Sequence, residues 1–349
     1  MRKDLLSIGL MIIFLLPYGY YFAGVQVYDI VAATDTECNG NFEQNSPDEF
    51  APLRERVPLN LATYQENITS NIMENISQYW WPGYHSASIE VEGEDLLLSA
   101  WYLKQDESMP WVIFVHGLRG CKAGGSILLP SGMLAKAGFN IVVFDLRDHG
   151  QSSIEDNRVS AGQKEWMDVR AVYDWLLSEH GAEEGKIGLF GTSMGAGTAA
   201  ITFSQDKRFN SVWLDSGFSD MQKIIEEELE YQGLPTFLGG AGVFAGKIKT
   251  GENLVKLSPL SAATEIGDRH MYVVHGNQDP RVKVHHGISM CEEAQTHGLE
   301  GHVECWFSDS QIVFDVIGEN QTDEHATMML THTVLYEQRL VDFFNETLV

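Results

Sequence analysis

Lys186-Ile187-Gly188-Leu189-Phe190-Gly191-Thr192-Ser193-Met194-Gly195-Ala196-Gly197-Thr198-Ala199-Ala200 is the stretch that decides the fold. Its first five residues read as a short buried strand, and the residues from Ala196 onward as the opening of a helix packed close to a sheet. Between them lies Gly-x-Ser-x-Gly. That pattern arises often by chance, but strand, tight turn and helix in this order form the context of a nucleophile elbow. The turn needs small flanking residues. It lifts the serine hydroxyl out of the sheet and aims the next backbone N–H at the same point. Ser193 is therefore the candidate nucleophile and Met194 N–H a candidate oxyanion donor.

Outward from the elbow, strands and helices alternate. Residues 86–91 and 96–103 flank Glu92-Gly93-Glu94-Asp95 and read as a hairpin. Strand-like runs follow at 111–115, 140–145, 211–215, 271–275 and 302–306. Helical spacing marks 127–137, 161–179 and 334–345. This alternation predicts an α/β fold with a mostly parallel sheet, helices on both faces and an antiparallel edge. Function belongs at the carboxyl ends of such strands. The stretch at about 218–266 is too long for a simple loop and reads as a small cap over the site.

Serine acyl transfer needs a base, an acid to orient it and oxyanion donors. The run 111–115 ends in His116-Gly117-Leu118, where a glycine lets the chain turn across the elbow, so Leu118 N–H is the second expected donor. His116 itself, at a strand end, suits a structural hydrogen bond better than a base. Asp279 lies in the loop just past 271–275 and is the expected orienting acid, with Asp215 as the alternative. The base should follow the acid and the last strand. His325 fits that position, and His332 is its competitor.

With these residues in place, the chain resembles the α/β-hydrolases of the esterase and prolyl-oligopeptidase-like kind. The matching features are His116-Gly117 after a strand, Asp145-Leu146-Arg147-Asp148-His149-Gly150-Gln151-Ser152, the elbow, His275-Gly276-x-x-Asp279-x-x-Val282, and His325 followed by Tyr336 and Phe343-Phe344. They cover about 86–348. The resemblance implies an α/β-hydrolase fold and a structural role for the 145–152 run, including Arg147 and His149. The stretch from Trp306 to His325 is longer than that family usually has.

Among 349 residues the formal charge is -26, which argues against nucleic acid or an anionic bilayer as a partner for a basic face. Cys38, Cys121, Cys291 and Cys305 include no Cys-x-x-Cys pair and no His at ligand spacing, which argues against zinc. They leave three disulfide pairings open, and Cys305 reads as a free buried thiol. Arg2 and Lys3 precede an uncharged run from Leu5 to about Val27, and acidic residues follow it. That pattern predicts residues 1–33 as an uncleaved signal anchor, single-pass, with the catalytic domain extracytoplasmic. Cleavage after Val31-Ala32-Ala33, giving a secreted protein, is the alternative. Residues 34–84 read as a stalk and lead-in, and 85–349 as the catalytic domain.

The expected activity is hydrolysis of carboxylic esters of small-molecule or lipid-like acyl substrates, without cofactor or metal. A peptidase or amidase of the same fold is the nearest rival, because the same machinery cleaves amides. An inactive hydrolase-fold interaction protein is the other.

Overall fold

The computed structural model describes residues 2–34, 36–38, 45–53, 75–316, 319–323 and 325–349, with backbone alone for 2–16 and 314–323. Eight strands form one sheet: β1 (His85–Glu90), β2 (Leu97–Leu103), β3 (Trp111–Val115), β4 (Asn140–Phe144), β5 (Ile187–Thr192), β6 (Ser211–Asp215), β7 (His270–Gly276) and β8 (Val303–Ser308). Their order across the sheet is β1-β2-β4-β3-β5-β6-β7-β8. The β1–β2 hairpin and the β2–β4 pair are antiparallel, and every later pair is parallel. The central strands β3, β4, β5 and β6 are buried along their whole length, which is why they read as unbroken apolar runs.

Alternate side chains divide between two cores. Ile113, Val115, Val142 and Phe144 face one side of the sheet, and Val112, Phe114, Ile141 and Val143 the other. The first face is covered by α3 (Glu165–His180), α4 (Met194–Gln205) and α7 (His285–His297), through residues such as Val172, Phe203 and Met290. The second is covered by α2 (Gly125–Lys136) and α8 (Thr333–Leu348), through Leu128, Met133, Leu340 and Phe343. The cap consists of α5 (Met221–Tyr231), a short 3-10 turn and α6 (Gly239–Thr250).

Three features differ from the sequence expectations. The long stretch before His325 is a second, two-stranded sheet, in which β9 (Ile312–Val316) pairs antiparallel with β10 (Glu319–Asp323). Cys305 is not a free thiol: it pairs with Cys291 of α7 at a Cα separation of 6.2 Å, and Cys38 pairs with Cys121 at 5.6 Å. The third concerns the amino terminus.

Helix α1 spans Arg2–Val31. The expected membrane span from Leu5 falls, as far as residue 16, on side chains outside the described ones. Among the described residues no helix is long and apolar enough to cross a membrane. Instead, the last turns of α1 belong to the packing of the catalytic domain. Val27 and Tyr28 are buried against α6, where a Cβ on Gly246 would lie 2.6 Å from the Tyr28 ring. Arg119 donates to the carbonyls of Ile30 at 2.8 Å and Ala33 at 3.1 Å, and Val159 N–H donates to Ala32 at 2.9 Å. Asp29 pairs with Arg158 at 2.8 Å and Lys249 at 2.6 Å. Contact with the cap and the core explains why Tyr28 and Ala32, beyond Val27, are buried; much of the 34–84 stretch read as a stalk lies outside the described residues.

Candidate active site

Ser193 follows β5 and precedes α4 with φ 56° and ψ -124°, a conformation that costs a non-glycine residue about 1–3 kcal/mol. Its surroundings hold it there. Ser193 N–H donates to the Asp215 carbonyl on the neighbouring strand at 2.8 Å. Gly195 lets the turn approach β3 so closely that a Cβ would lie 2.5 Å from the His116 carbonyl oxygen. The strain thus buys an exposed hydroxyl at the carboxyl edge of the sheet.

His325 follows β10 directly. Its Nε2 lies 2.7 Å from Ser193 Oγ and its Nδ1 lies 2.8 Å from Asp279 Oδ2. Asp279 follows β7 and is fully covered by its loop: its Oδ1 accepts the N–H groups of Arg281 at 2.9 Å and Val282 at 3.0 Å. Burial pushes this carboxyl up, but the charge and hydrogen bond of His325, with further help from His275 and Val282 N–H, hold it below the usual carboxylate range. The structure therefore brings Ser193, His325 and Asp279 together.

The competing residues sit elsewhere. Asp215 is buried and accepts from Tyr336 Oη at 2.6 Å and Ser216 Oγ at 2.8 Å; burial pushes it up to about 6, against those two bonds. His332 lies with Nε2 3.4 Å from Ser308 Oγ, against the edge of Trp306. His116 is buried between two partners: Nε2 accepts Leu146 N–H at 3.0 Å and Nδ1–H donates to Gly117 O at 2.8 Å. The 145–152 run is held in the same structural way. Asp145 accepts Lys122 Nζ at 2.5 Å, and Arg147 pairs with Asp168 at 2.7 Å and Glu94 at 2.8 Å.

Among the described residues, the N–H groups of Leu118 and Met194 find no acceptor, and both residues line a cleft beside Ser193. That cleft has an empty volume of about 670 Å³, open to solvent, and is walled mainly by apolar side chains: Phe218 and, from the cap, Met221, Ile224 and Ile225. Val31 and Ala32, from the end of the amino-terminal segment, complete it. A second, more polar cleft adjoins Ser193 and His325 on the side of Leu53, Gly117 and Thr327. Arg281 borders both clefts and pairs with Glu228 of the cap at 3.1 Å. His275 holds the Asp279 loop: its Nε2–H donates to the Val282 carbonyl at 2.6 Å.

Sequence reasoning did not find Arg281, Glu228 or the part played by Val31 and Ala32, and it placed His275 in a motif without giving it a role. Only the step of Arg281 two residues past Asp279 carried any signal for the first of these.

The sequence model of the Prolyl oligopeptidase family matches residues 131–330. An Escherichia coli protein described as an uncharacterized 31.7 kDa protein in the traX-finO intergenic region is 31% identical over 149 residues, 42% of this chain and 50% of that one. The lysophosphatidylserine lipase ABHD12 of Bos taurus is 25% identical over 138 residues, 39% of this chain and 30% of that one. The chain thus spans half the length, or less, of these relatives. The esterase Pf2001 of Pyrococcus furiosus superposes with a TM-score of 0.58 at 22% identity, over 76% of this chain and 93% of that one. The last of these likenesses shows the fold, an α/β-hydrolase fold with a mostly parallel sheet.

Proposed function

This chain belongs to the prolyl oligopeptidase family, and within it we propose a serine hydrolase that cleaves carboxylic esters through an acyl-enzyme. The observation that carries the reading is the position of His325, within hydrogen-bond reach of both Ser193 Oγ and Asp279 Oδ2. Ser193 Oγ attacks the acyl carbon while His325 Nε2 takes its proton. Asp279 holds the imidazolium, and the amides of Leu118 and Met194 receive the oxyanion. Collapse of the tetrahedral intermediate expels the alcohol, which takes the proton from His325. Water, deprotonated by the same imidazole, then releases the acid.

The apolar cleft supports an acyl group as the part of the substrate bound next to Ser193, since apolar walls offer about 25 cal/mol per Å² of apolar surface removed from water. The esterase and lipase among the similar proteins agree with that choice. A peptidase is the second reading, favoured by the family's name. Rates on matched acyl p-nitrophenyl esters and acyl p-nitroanilides separate the two. The ester reading expects a strong preference for esters at every acyl length; comparable or faster anilide cleavage supports the peptidase.

We place the catalytic domain outside the cytoplasm. Two disulfides, one of them joining the amino-terminal segment to the core, fit an oxidising compartment. Protease added to intact cells should reach the domain, and protection until lysis would put it inside.

A further inference from the structure

We propose that the amino-terminal ends of α1 and α6, with the 3-10 turn that precedes α6, form an apolar tip that inserts into a neutral lipid bilayer. The two helices lie side by side and run parallel. Gly240 faces Tyr20, a Cβ on Gly24 would meet the Ala241 carbonyl, Gly242 lies against Val27, and Gly246 lies against the Tyr28 ring. The close approach that these glycines allow fixes the depth of one helix against that of the other.

Both helices lose their charges toward the same end. Residues 5–28 and 231–246 carry no charged side chain, in a chain of which 21% is charged, so the gap is a feature of this surface. The charges resume at one level on both helices. Asp29 of α1 pairs there with Lys249 of α6 at 2.6 Å and with Arg158 at 2.8 Å. On the amino-terminal side of this collar large rings face solvent: Tyr18 is 68%, Phe22 57%, Phe237 76% and Phe244 49% exposed. Phe237 belongs to the 3-10 turn Thr236–Leu238, which packs against α1. Exposed apolar side chains gathered in this way mark an interaction surface. On α5, Glu226 packs on Gly239 and Glu230 pairs with Lys283, and these carboxylates limit how far the tip can enter.

A bilayer, rather than a second copy of the chain, follows from what continues past the tip. The helical backbone of α1 runs back to Arg2, and its sequence from Leu5 to Pro17 is uncharged and mostly apolar. At a rise of 1.5 Å per residue that is about 20 Å of further helix. Tyr18, Tyr20 and Tyr21 stand between this run and the collar. A ring with an apolar body and a hydroxyl that prefers water suits a membrane–water interface. The formal charge of -26 opposes an anionic surface, so the lipid is zwitterionic. The tip lies in the interface and does not have to span it.

Val31 and Ala32, just past the collar, line the apolar cleft together with Ile224 and Ile225 of α5. Insertion of the tip therefore holds the cleft close to the lipid surface. That this surface supplies the acyl groups rests on the ester reading given above.

The test uses the full chain with phosphatidylcholine vesicles and a nitroxide on one introduced cysteine. F237C and F244C report on the tip and V334C, on α8, is the control; all three positions are exposed, and the native cysteines are paired. Power saturation reads access to oxygen and to a water-soluble nickel chelate. Vesicles should lower nickel access at 237 and 244 by about threefold or more and raise oxygen access, as expected for a face buried in the headgroup and acyl boundary. Position 334 should not change. Failure of the chain to bind vesicles, or binding with 237 and 244 still open to nickel, would overturn the proposal. So would labels that are shielded and dipolar-broadened without lipid, the sign of a second copy on the tip. No turnover is measured, so the outcome is independent of whether Ser193 is the nucleophile.

Discussion

Tyr336 donates its hydroxyl to Asp215 Oδ2 at 2.6 Å, deep in the core between β6 and α8. With Ser216 on its other oxygen, Asp215 has both oxygens committed, while Asp279 presents Oδ2 to His325. The two carboxylates at neighbouring strand ends are thus divided between a buried structural chain and the proposed catalytic pair with His325. Trp213 Nε1–H donates to the same Tyr336 oxygen at 3.1 Å, so the aspartate sits in a buried chain rather than at the cleft.

From this division, D279N should lower kcat by about 10³-fold or more, and H325A similarly, without matching losses of stability. D215N and H332A should keep turnover within a few-fold of the parent once corrected for folded fraction. D215N should instead cost about 1–3 kcal/mol in stability, as a disturbed buried hydrogen-bond chain does. Steady-state kinetics paired with thermal melts checks both halves.

The apolar cleft predicts chain-length selectivity. I225W fills space beside Ser193 with a bulkier ring, on a cap helix that does not carry the triad. It should lower kcat/KM for long acyl esters at least tenfold while sparing acetate and propionate esters. An acyl-length series of p-nitrophenyl esters measures this; an unchanged profile would mean that acyl groups bind elsewhere.

Acid should destabilise the fold. Burial holds His116, His149, His275 and His286 below the ordinary histidine value, His286 at about 3. As pH falls below about 6.5, the unfolded chain takes up protons that these folded residues refuse, and each contributes a loss of up to ~1.4 kcal/mol per pH unit. Asp168 and Asp215 act in the opposite sense: with their folded values raised by burial to about 6, their contributions grow as pH falls from 6 toward 4. Four groups outweigh two, so Tm should drop between pH 6.5 and 5. A Tm that rises over this interval would contradict the assignment of neutral buried histidines.

The Cys38–Cys121 bridge closes a separation of 83 residues and tethers the segment that supplies Val31 and Ala32 to the cleft. C38S should cost about 2–4 kcal/mol of stability and raise KM for long-chain esters more than it lowers kcat. Denaturant melts and the same ester series read the two effects.

Much of the site was legible in the sequence because each part sits where the chain leaves a strand. Ser193, Leu118 and Asp279 follow apolar runs whose ends are visible as the hydrophobic pattern stops, and His325 follows the last of them. The β9–β10 hairpin was not legible: Glu319-Asn320-Gln321-Thr322-Asp323 has neither β-branched enrichment nor alternation, and only pairing with β9 makes it a strand. The disulfides were hidden because pairing depends on tertiary approach across 83 residues in one case and on a helix packing against β8 in the other. The packing of the end of α1 was not legible because an apolar run carries no label for what buries it. Val27 and Tyr28 face α6, and lipid and protein interior select the same residues.

The central claim is that Ser193, activated by His325, is the nucleophile. A fluorophosphonate probe followed by peptide mass spectrometry tests it without knowledge of the substrate. The account predicts a covalent adduct on the peptide containing Ser193, abolished in S193A and strongly slowed in H325A, with S193A still cooperatively folded. Undiminished labelling of folded S193A, or no labelling of the folded parent chain, would contradict it.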